Sequence, residues 1–243
     1  MTYKNLDKSH YQSFAHSAES LWLTTRYQSL SIQLAYWAGK NRLTPNFLTA
    51  VSGLLVVLAM VVLLVFGFGS WLVAGAVFIL LCSGYLLDCA DGQLARASDQ
   101  CSKYGAWLDH VSDAGKIFVV HGCVGWLLLE SLNAHGYSGR WCFLAVLLNM
   151  AGTSLYFFAW NYKVMIAGDG LIARLADQRA QQRINLLRSL QQSTDYGWFL
   201  FLFILLFDPQ KFALAYFIYG AWTFVLFMAY IVISARYMAK LND

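Results

Sequence analysis

Residues 46–67 carry no charged side chain over more than twenty consecutive positions, in a run that includes "VSGLLVVLAMVVLLVF". A helix needs about 20 apolar residues to cross the hydrocarbon core of a bilayer, and inside it every backbone polar group must be satisfied within the segment. Further apolar runs follow with short connections, giving six predicted spans at 46–67, 71–96, 104–131, 141–162, 196–207 and 212–235. The fifth is short for a full crossing unless it extends back toward Ser193. With 59% apolar and 12% charged residues, the chain departs from the soluble average in the same direction. The expectation is an all-α polytopic membrane protein, one domain over 1–243, with 1–43 as an N-terminal segment outside the spans.

The first 20 residues are polar and lack the apolar core of a cleavable signal, so the N-terminus is expected to stay on the side of synthesis. "ESLWLTTRYQSLSIQLAYWAGK" mixes Leu, Trp, Ile and Tyr with polar residues at helical intervals, which reads as an interfacial amphipathic helix, with a soluble helix as the alternative. Cys82, Cys89, Cys101, Cys123 and Cys142 lie in or beside apolar runs without metal-type spacing and read as buried free thiols in place of disulfides or zinc ligands. The net charge of +4 matters through its distribution and not as a sign of nucleic-acid binding. Lys4, Lys8, Arg26, Lys40 and Arg42 precede the first span, Arg96 and Lys103 flank the second turn, and Lys163, Arg174, Arg179, Arg183 and Arg188 fill the long fourth connection. Arg236 and Lys240 end the chain, while only Arg140 and Lys211 fall on the other side. This bias places both termini and the second turn in the cytoplasm. The connection 168–193 reads equally as a helix on anionic lipid or as an extension of the fourth helix.

That second turn is flanked by four aspartates, Asp88, Asp91, Asp109 and Asp113. Positions 88, 91 and 95 share one helical face, as do 105, 109 and 113. In a helical hairpin turning near residue 100, Asp88 comes level with Asp113 and Asp91 with Asp109, roughly 13 to 18 Å below the turn. Each carboxylate at mid-membrane costs about 2.5 to 3.5 kcal/mol, and mutual repulsion adds to it. The cluster must therefore hold protons, line water or bind cations. Oxygen ligands without His or Cys favour a hard divalent ion such as Mg²⁺ or Mn²⁺. Gly92, Ala95 and Gly105 keep the cytoplasmic flank free of bulk, either for a phosphorylated ligand or for close helix packing, and Arg96 has a fork suited to phosphate oxygens. Spacing alone also leaves open a proton- or cation-coupled transporter.

Asp88-x-x-Asp91-Gly92-x-x-Ala95-Arg96, eight residues, then Gly105-x-x-x-Asp109-x-x-x-Asp113 resembles the signature of the CDP-alcohol phosphotransferases, also called CDP-alcohol phosphatidyltransferases, at every fixed position. The resemblance implies an enzyme that cleaves the pyrophosphate of a CDP-linked donor, passes the phosphate-bearing half to a hydroxyl acceptor and releases CMP. It implies that the four aspartates surround two divalent cations, Mg²⁺ or Mn²⁺, with Asp113 as the base for the acceptor hydroxyl. Gly92, Ala95, Arg96 and Gly105 would border the cytidine and its phosphates. "TPNFLT" is similar to a segment at the start of the family's first span, which adds Asn46 and Thr49 near the nucleotide; on residues alone, Thr44-Pro45 is a helix start. A carboxylate held fully by two cations is a poor base, so Asp113 should be the least coordinated of the four. The resemblance also implies a homodimer.

The leading expectation for substrates is CDP-diacylglycerol as donor and a small polar alcohol as acceptor, since a pocket opening between spans suits a lipid with its tails in the bilayer. The reverse arrangement, a soluble CDP-amino alcohol with diacylglycerol as acceptor, uses the same core. "LDH" at 108–110 is faintly similar to the choline and ethanolamine phosphotransferases, although His110 points away from Asp109. Lys116, one turn past Asp113, either balances charge or holds an acceptor phosphate. Phosphatidylglycerophosphate synthases carry a lysine directly after the last aspartate; here Ala114 stands there, which argues against glycerol phosphate as acceptor. Arg174, Arg179, Arg183 and Arg188 either recruit a phosphorylated acceptor or serve topology, and Glu130 reads as interfacial. A transporter would show repeated halves with interrupted helices, and no such repeat is visible.

Overall fold

A computed structural model describes residues 8–13, 22–134, 139–155, 158–159 and 196–239. Every described element is helical: α1 (Lys8–Ser13), α2 (Trp22–Lys40), α3 (Pro45–Phe66), α4 (Trp71–Ala97), α5 (Lys103–Ala134), α6 (Gly139–Met150) with a π-helical turn (Ala151–Leu155), α7 (Tyr196–Phe201) running into a 3₁₀ helix (Leu202–Phe207), and α8 (Pro209–Ala239). Four of them, α3, α4, α5 and α8, are long and apolar enough to cross a membrane, which marks an integral membrane protein. Their boundaries follow the predicted first, second, third and sixth spans closely. The segment predicted as the fifth span is part α and part 3₁₀ helix; at the rises of those helices it extends roughly 21 Å, less than the hydrocarbon thickness. The predicted fourth span is described as far as α6 and its π-helical turn, and its end lies outside the described residues, as do Lys4, Lys163, Arg174, Arg179, Arg183, Arg188, Lys240 and the connection 168–193.

The chain divides into two compact units. The first comprises Met1–Cys123 and Tyr196–Pro209. Here α3 starts where the sequence placed it: the Thr44 hydroxyl accepts from Phe47 N, Pro45 occupies the first turn, and Gly67 ends the helix at φ 68°. A stripe on α3 (Leu48, Ser52, Val56, Ala59, Leu63) packs against α4, where Gly84 permits close approach: a Cβ there would meet Ser52 O and Val56 Cγ2, each at 3.2 Å. Trp71, at the opposite end of α4 from the aspartates, stacks on Phe207 at 3.5 Å between centroids.

α2 is helical, as expected, and its small residues explain where it sits. Ala35 and Ala38 join Ala90, Leu94 and Ala97 of α4, together with Tyr11, in one buried cluster. Gln93 Nε2 donates to Ser31 Oγ at 3.0 Å, His10 Nε2 donates to Ala97 O at 3.0 Å, and the Tyr27 and Tyr85 rings meet edge to face. Packing along α4 accounts for the polar and small residues of the inner face of α2. Its outer face keeps Leu30 and Trp37 exposed.

The second unit comprises Val124–Asp195 and Gln210–Asp243. Asn149 of α6 is buried and its Nδ2 donates to Ala145 O at 2.9 Å and to Tyr216 O of α8 at 2.8 Å. Gly152 and Gly220 make this contact possible, since a Cβ at Gly152 would meet Phe224 N at 2.8 Å and one at Gly220 would meet Asn149 Cγ at 2.9 Å. Interhelical amide bonds and glycine contacts hold helices together where the hydrophobic effect supplies little driving force.

Candidate active site

The site lies within the first unit, at the end of α4 and the start of α5. α4 closes with a left-handed cap: Asp99 has φ 54°, and Gln100 N reaches back to Ala95 O at 2.9 Å. The Ser102 hydroxyl then caps α5, accepting from Gly105 N at 2.9 Å. The turn thus occupies 98–102, as the hairpin reading expected.

Across this turn the carboxylates converge. Asp88, Asp91 and Asp109 each offer an oxygen within 4.8 Å of the others. Asp91 is only 5% exposed, and one of its oxygens accepts from Thr49 Oγ1 of α3 at 2.5 Å. Asp113 is engaged differently. The Lys116 ammonium donates to Asp113 Oδ1 at 3.1 Å and is also paired with Asp88 Oδ1. The hairpin spacing predicts that all four carboxylates meet in one pocket; three of them converge, while Asp113 joins Asp88 through Lys116, which stands along the Asp88–Asp113 edge.

Beside the carboxylates opens a cavity of about 190 Å³. It is lined by Asn46 and Thr49 from α3, by Asp91, Gly92, Ala95 and Arg96 from α4, and by Gly105, Ala106 and Asp109 from α5. All six residues expected near the nucleotide face it. Asp88 and Asp113 do not line it. Arg96 lies over Gly92, whose added Cβ would meet Nη1 at 3.2 Å, and the buried Arg96 Nε has no hydrogen-bond partner among the described residues. A buried donor without a partner costs free energy, and an anionic ligand in the cavity would offset it. Gly105 is equally confined: a Cβ would meet Ser102 Oγ at 3.1 Å and Asn46 Oδ1 at 3.3 Å.

Pro45, Gln100, Cys101 and Ser102 also line the cavity and, like Ala106, were not among the site residues read from the sequence; Cys101, expected to be a buried thiol, is exposed here. Gln100, Cys101 and Ser102 fall in the eight-residue gap between Arg96 and Gly105; folding that gap back into a hairpin is the signal that would have found them. His110 is exposed on α5 and does not line the cavity.

The donor set fits a hard divalent cation. Among the described residues three carboxylate oxygens lie close together with no His or Cys in the group, and the Lys116 ammonium bridges one of the three, Asp88, to Asp113. The first turns of α3 and α5 both border the cavity, so two helix N-termini add partial positive charge where phosphate oxygens would sit.

No curated protein matches the chain. The family model described as CDP-alcohol phosphatidyltransferase matches residues 42–169, a stretch that holds α3 through α6 and every residue of the site. Spanning more than half of the sequence, that match establishes that the chain belongs to the CDP-alcohol phosphatidyltransferase family.

Proposed function

We propose that the chain transfers a phosphatidyl group from CDP-diacylglycerol to a small polar alcohol, releasing CMP, in phospholipid synthesis. The acceptor oxygen forms a bond to the phosphorus that bears diacylglycerol, the bond from that phosphorus to the CMP phosphate breaks, and the hydroxyl proton passes to Asp113. Asp88, Asp91 and Asp109, with Asp113 at the margin, would hold two divalent cations, Mg²⁺ or Mn²⁺. When bound, these ions supply charge neutralisation for the pyrophosphate and for the departing CMP. Arg96 binds phosphate oxygens, while Gly92, Ala95, Gly105, Asn46 and Thr49 border the nucleotide. Asp113 stands apart from the three converging carboxylates, as a base less firmly held by the cations would, so this role puts the acceptor hydroxyl beside Asp113 and not among the residues that line the nucleotide cavity.

The observation that carries this reading is one cavity bordered by every motif residue expected at the nucleotide, adjoining three converging carboxylates. The site is read as facing the cytoplasm, with both termini, in a six-span protein. Four crossings alone would leave the Arg-rich connection 163–193 outside, against the lysine and arginine bias; α6 with its π-helical turn, and α7 with its 3₁₀ extension, are therefore read as the other two.

The decisive experiment supplies the purified chain in lipid with Mg²⁺ or Mn²⁺, CDP-diacylglycerol and a panel of alcohols, and follows CMP. Release should depend on one class of alcohol and on the metal, and Asp91→Ala should abolish it while helicity is retained. Undiminished turnover in that variant would remove the metal assignment. A parallel arm with CDP-ethanolamine and diacylglycerol reports the reverse arrangement of the same core.

A further inference from the structure

Lys116 has a geometry that the transfer reaction does not by itself require. Its side chain is 9% exposed and joins Asp88 to Asp113 across the two helices. Three residues beyond Asp113 on α5, it is held on the same helical face as that carboxylate. The site therefore carries a cation of its own, covalently tethered, at one edge of the carboxylate cluster.

The positions open to dissolved cations are unequal as a result. Asp88, Asp91 and Asp109 present oxygens within 4.8 Å of one another and form one cation position. Paired ions in phosphoryl-transfer sites lie about 3.5 to 4 Å apart. With one ion among those three carboxylates, the edge between Asp88 and Asp113 remains for the second, and the Lys116 ammonium stands there. A second dication must displace that ammonium from both carboxylates and overcome its repulsion. Being tethered, the ammonium does not diffuse away and competes at a high effective concentration.

We propose that Lys116 is a built-in competitor for the second divalent cation, so that one ion is held firmly and the other only weakly until a phosphate-bearing substrate offers the ammonium a new partner. The inference rests on the reading of this cluster as the divalent-cation centre of the transferase. It makes Lys116 a positioning residue that couples loading of the second ion to arrival of substrate.

The test is Mn²⁺ alone, titrated into the full chain in lipid nanodiscs and counted by electron paramagnetic resonance. Wild type should show one strong and one weak position. Lys116→Met, which keeps the unbranched apolar stem and removes the ammonium, should tighten the weak position at least about tenfold and leave the strong one unchanged; Lys116→Gln should do the same if the Met variant fails to fold. Uncharged variants whose binding curves superimpose on that of wild type overturn the proposal, as does a wild type with two equal strong positions. A wild type that binds no Mn²⁺ at all overturns the underlying metal reading instead, a result that cannot be confused with the first two.

Discussion

The Thr49 hydroxyl has one proton to give, and it lies 2.5 Å from Asp91 while Pro45 O, its alternative partner within α3, is at 3.2 Å. A bond from α3 thus orients the most buried carboxylate of the cluster, in the way outer-shell partners orient metal ligands. Thr49→Val should lower Mn²⁺ affinity about 10- to 100-fold with helicity unchanged, and Thr49→Ser should retain most of it; calorimetric titration of both variants checks this. Arg96 admits a kinetic prediction, because Arg96→Lys keeps the charge and loses the planar fork. It should raise KM for the CDP-linked donor about tenfold and change kcat less, as measured under varied donor at fixed alcohol. The four aspartates could be placed from sequence because helical spacing and a hairpin count are local rules. Thr49 was assigned only near the nucleotide, since its contact with Asp91 spans 42 residues and no periodicity reports such a pairing. From sequence Lys116 reads either as balancing charge or as holding an acceptor phosphate, and its choice of Asp88 and Asp113 depends on how the two helices approach.

At the scale of elements, the site depends on how closely α3 lies against α4. Gly84 is a point of close approach in that contact, and one of its neighbours is the Ser52 backbone carbonyl, which cannot rotate away as a side chain would. Gly84→Val should destabilise the protein by roughly 1 to 3 kcal/mol and lower its thermal midpoint, whereas Gly75→Ala, with nothing within 4 Å of the added carbon, should be neutral or mildly stabilising. Thermal unfolding of the two variants in the same detergent separates a packing effect from a general cost of replacing glycine. The left-handed cap of α4 is a second such point. Asp99 stands where glycine is usual, at φ 54°, so Asp99→Gly should stabilise the hairpin by about 1 kcal/mol. Without glycine or proline to mark it, the exact turning residue was not visible in sequence, although the region was. The start of α3 was visible because Thr44-Pro45 has a defined role at a helix end, whereas the docking of α2 along α4 was not, being decided by the fit of Ala35 and Ala38 to residues far along the chain.

At the scale of the whole molecule, the question is which way the site faces. α4 extends about 40 Å, enough to carry its two ends beyond a hydrocarbon core of about 30 Å. Trp71 marks one end, while Tyr104 and Trp107 are exposed just past the other, an arrangement suited to the two aromatic belts of a membrane. The cavity belongs to the Tyr104 end, so CMP, the water-soluble product of the proposed transfer, would leave on that side. Cys101 is exposed there and borders the cavity, which makes it a native reporter of orientation. In sealed inside-out and right-side-out vesicles, a membrane-impermeant maleimide should label Cys101 only from the cytoplasmic face. With Cys101 replaced by Ser, a cysteine introduced by Ser70→Cys at the start of α4 should be labelled only from the opposite face. Labelling of both from one side would mean that α4 does not cross, and the reverse pattern would place the carboxylates, and CMP release, outside the cell. CMP should also protect Cys101 from the reagent, since a nucleotide in the cavity lies against that residue, whereas the cysteine at position 70 should react at the same rate with or without it.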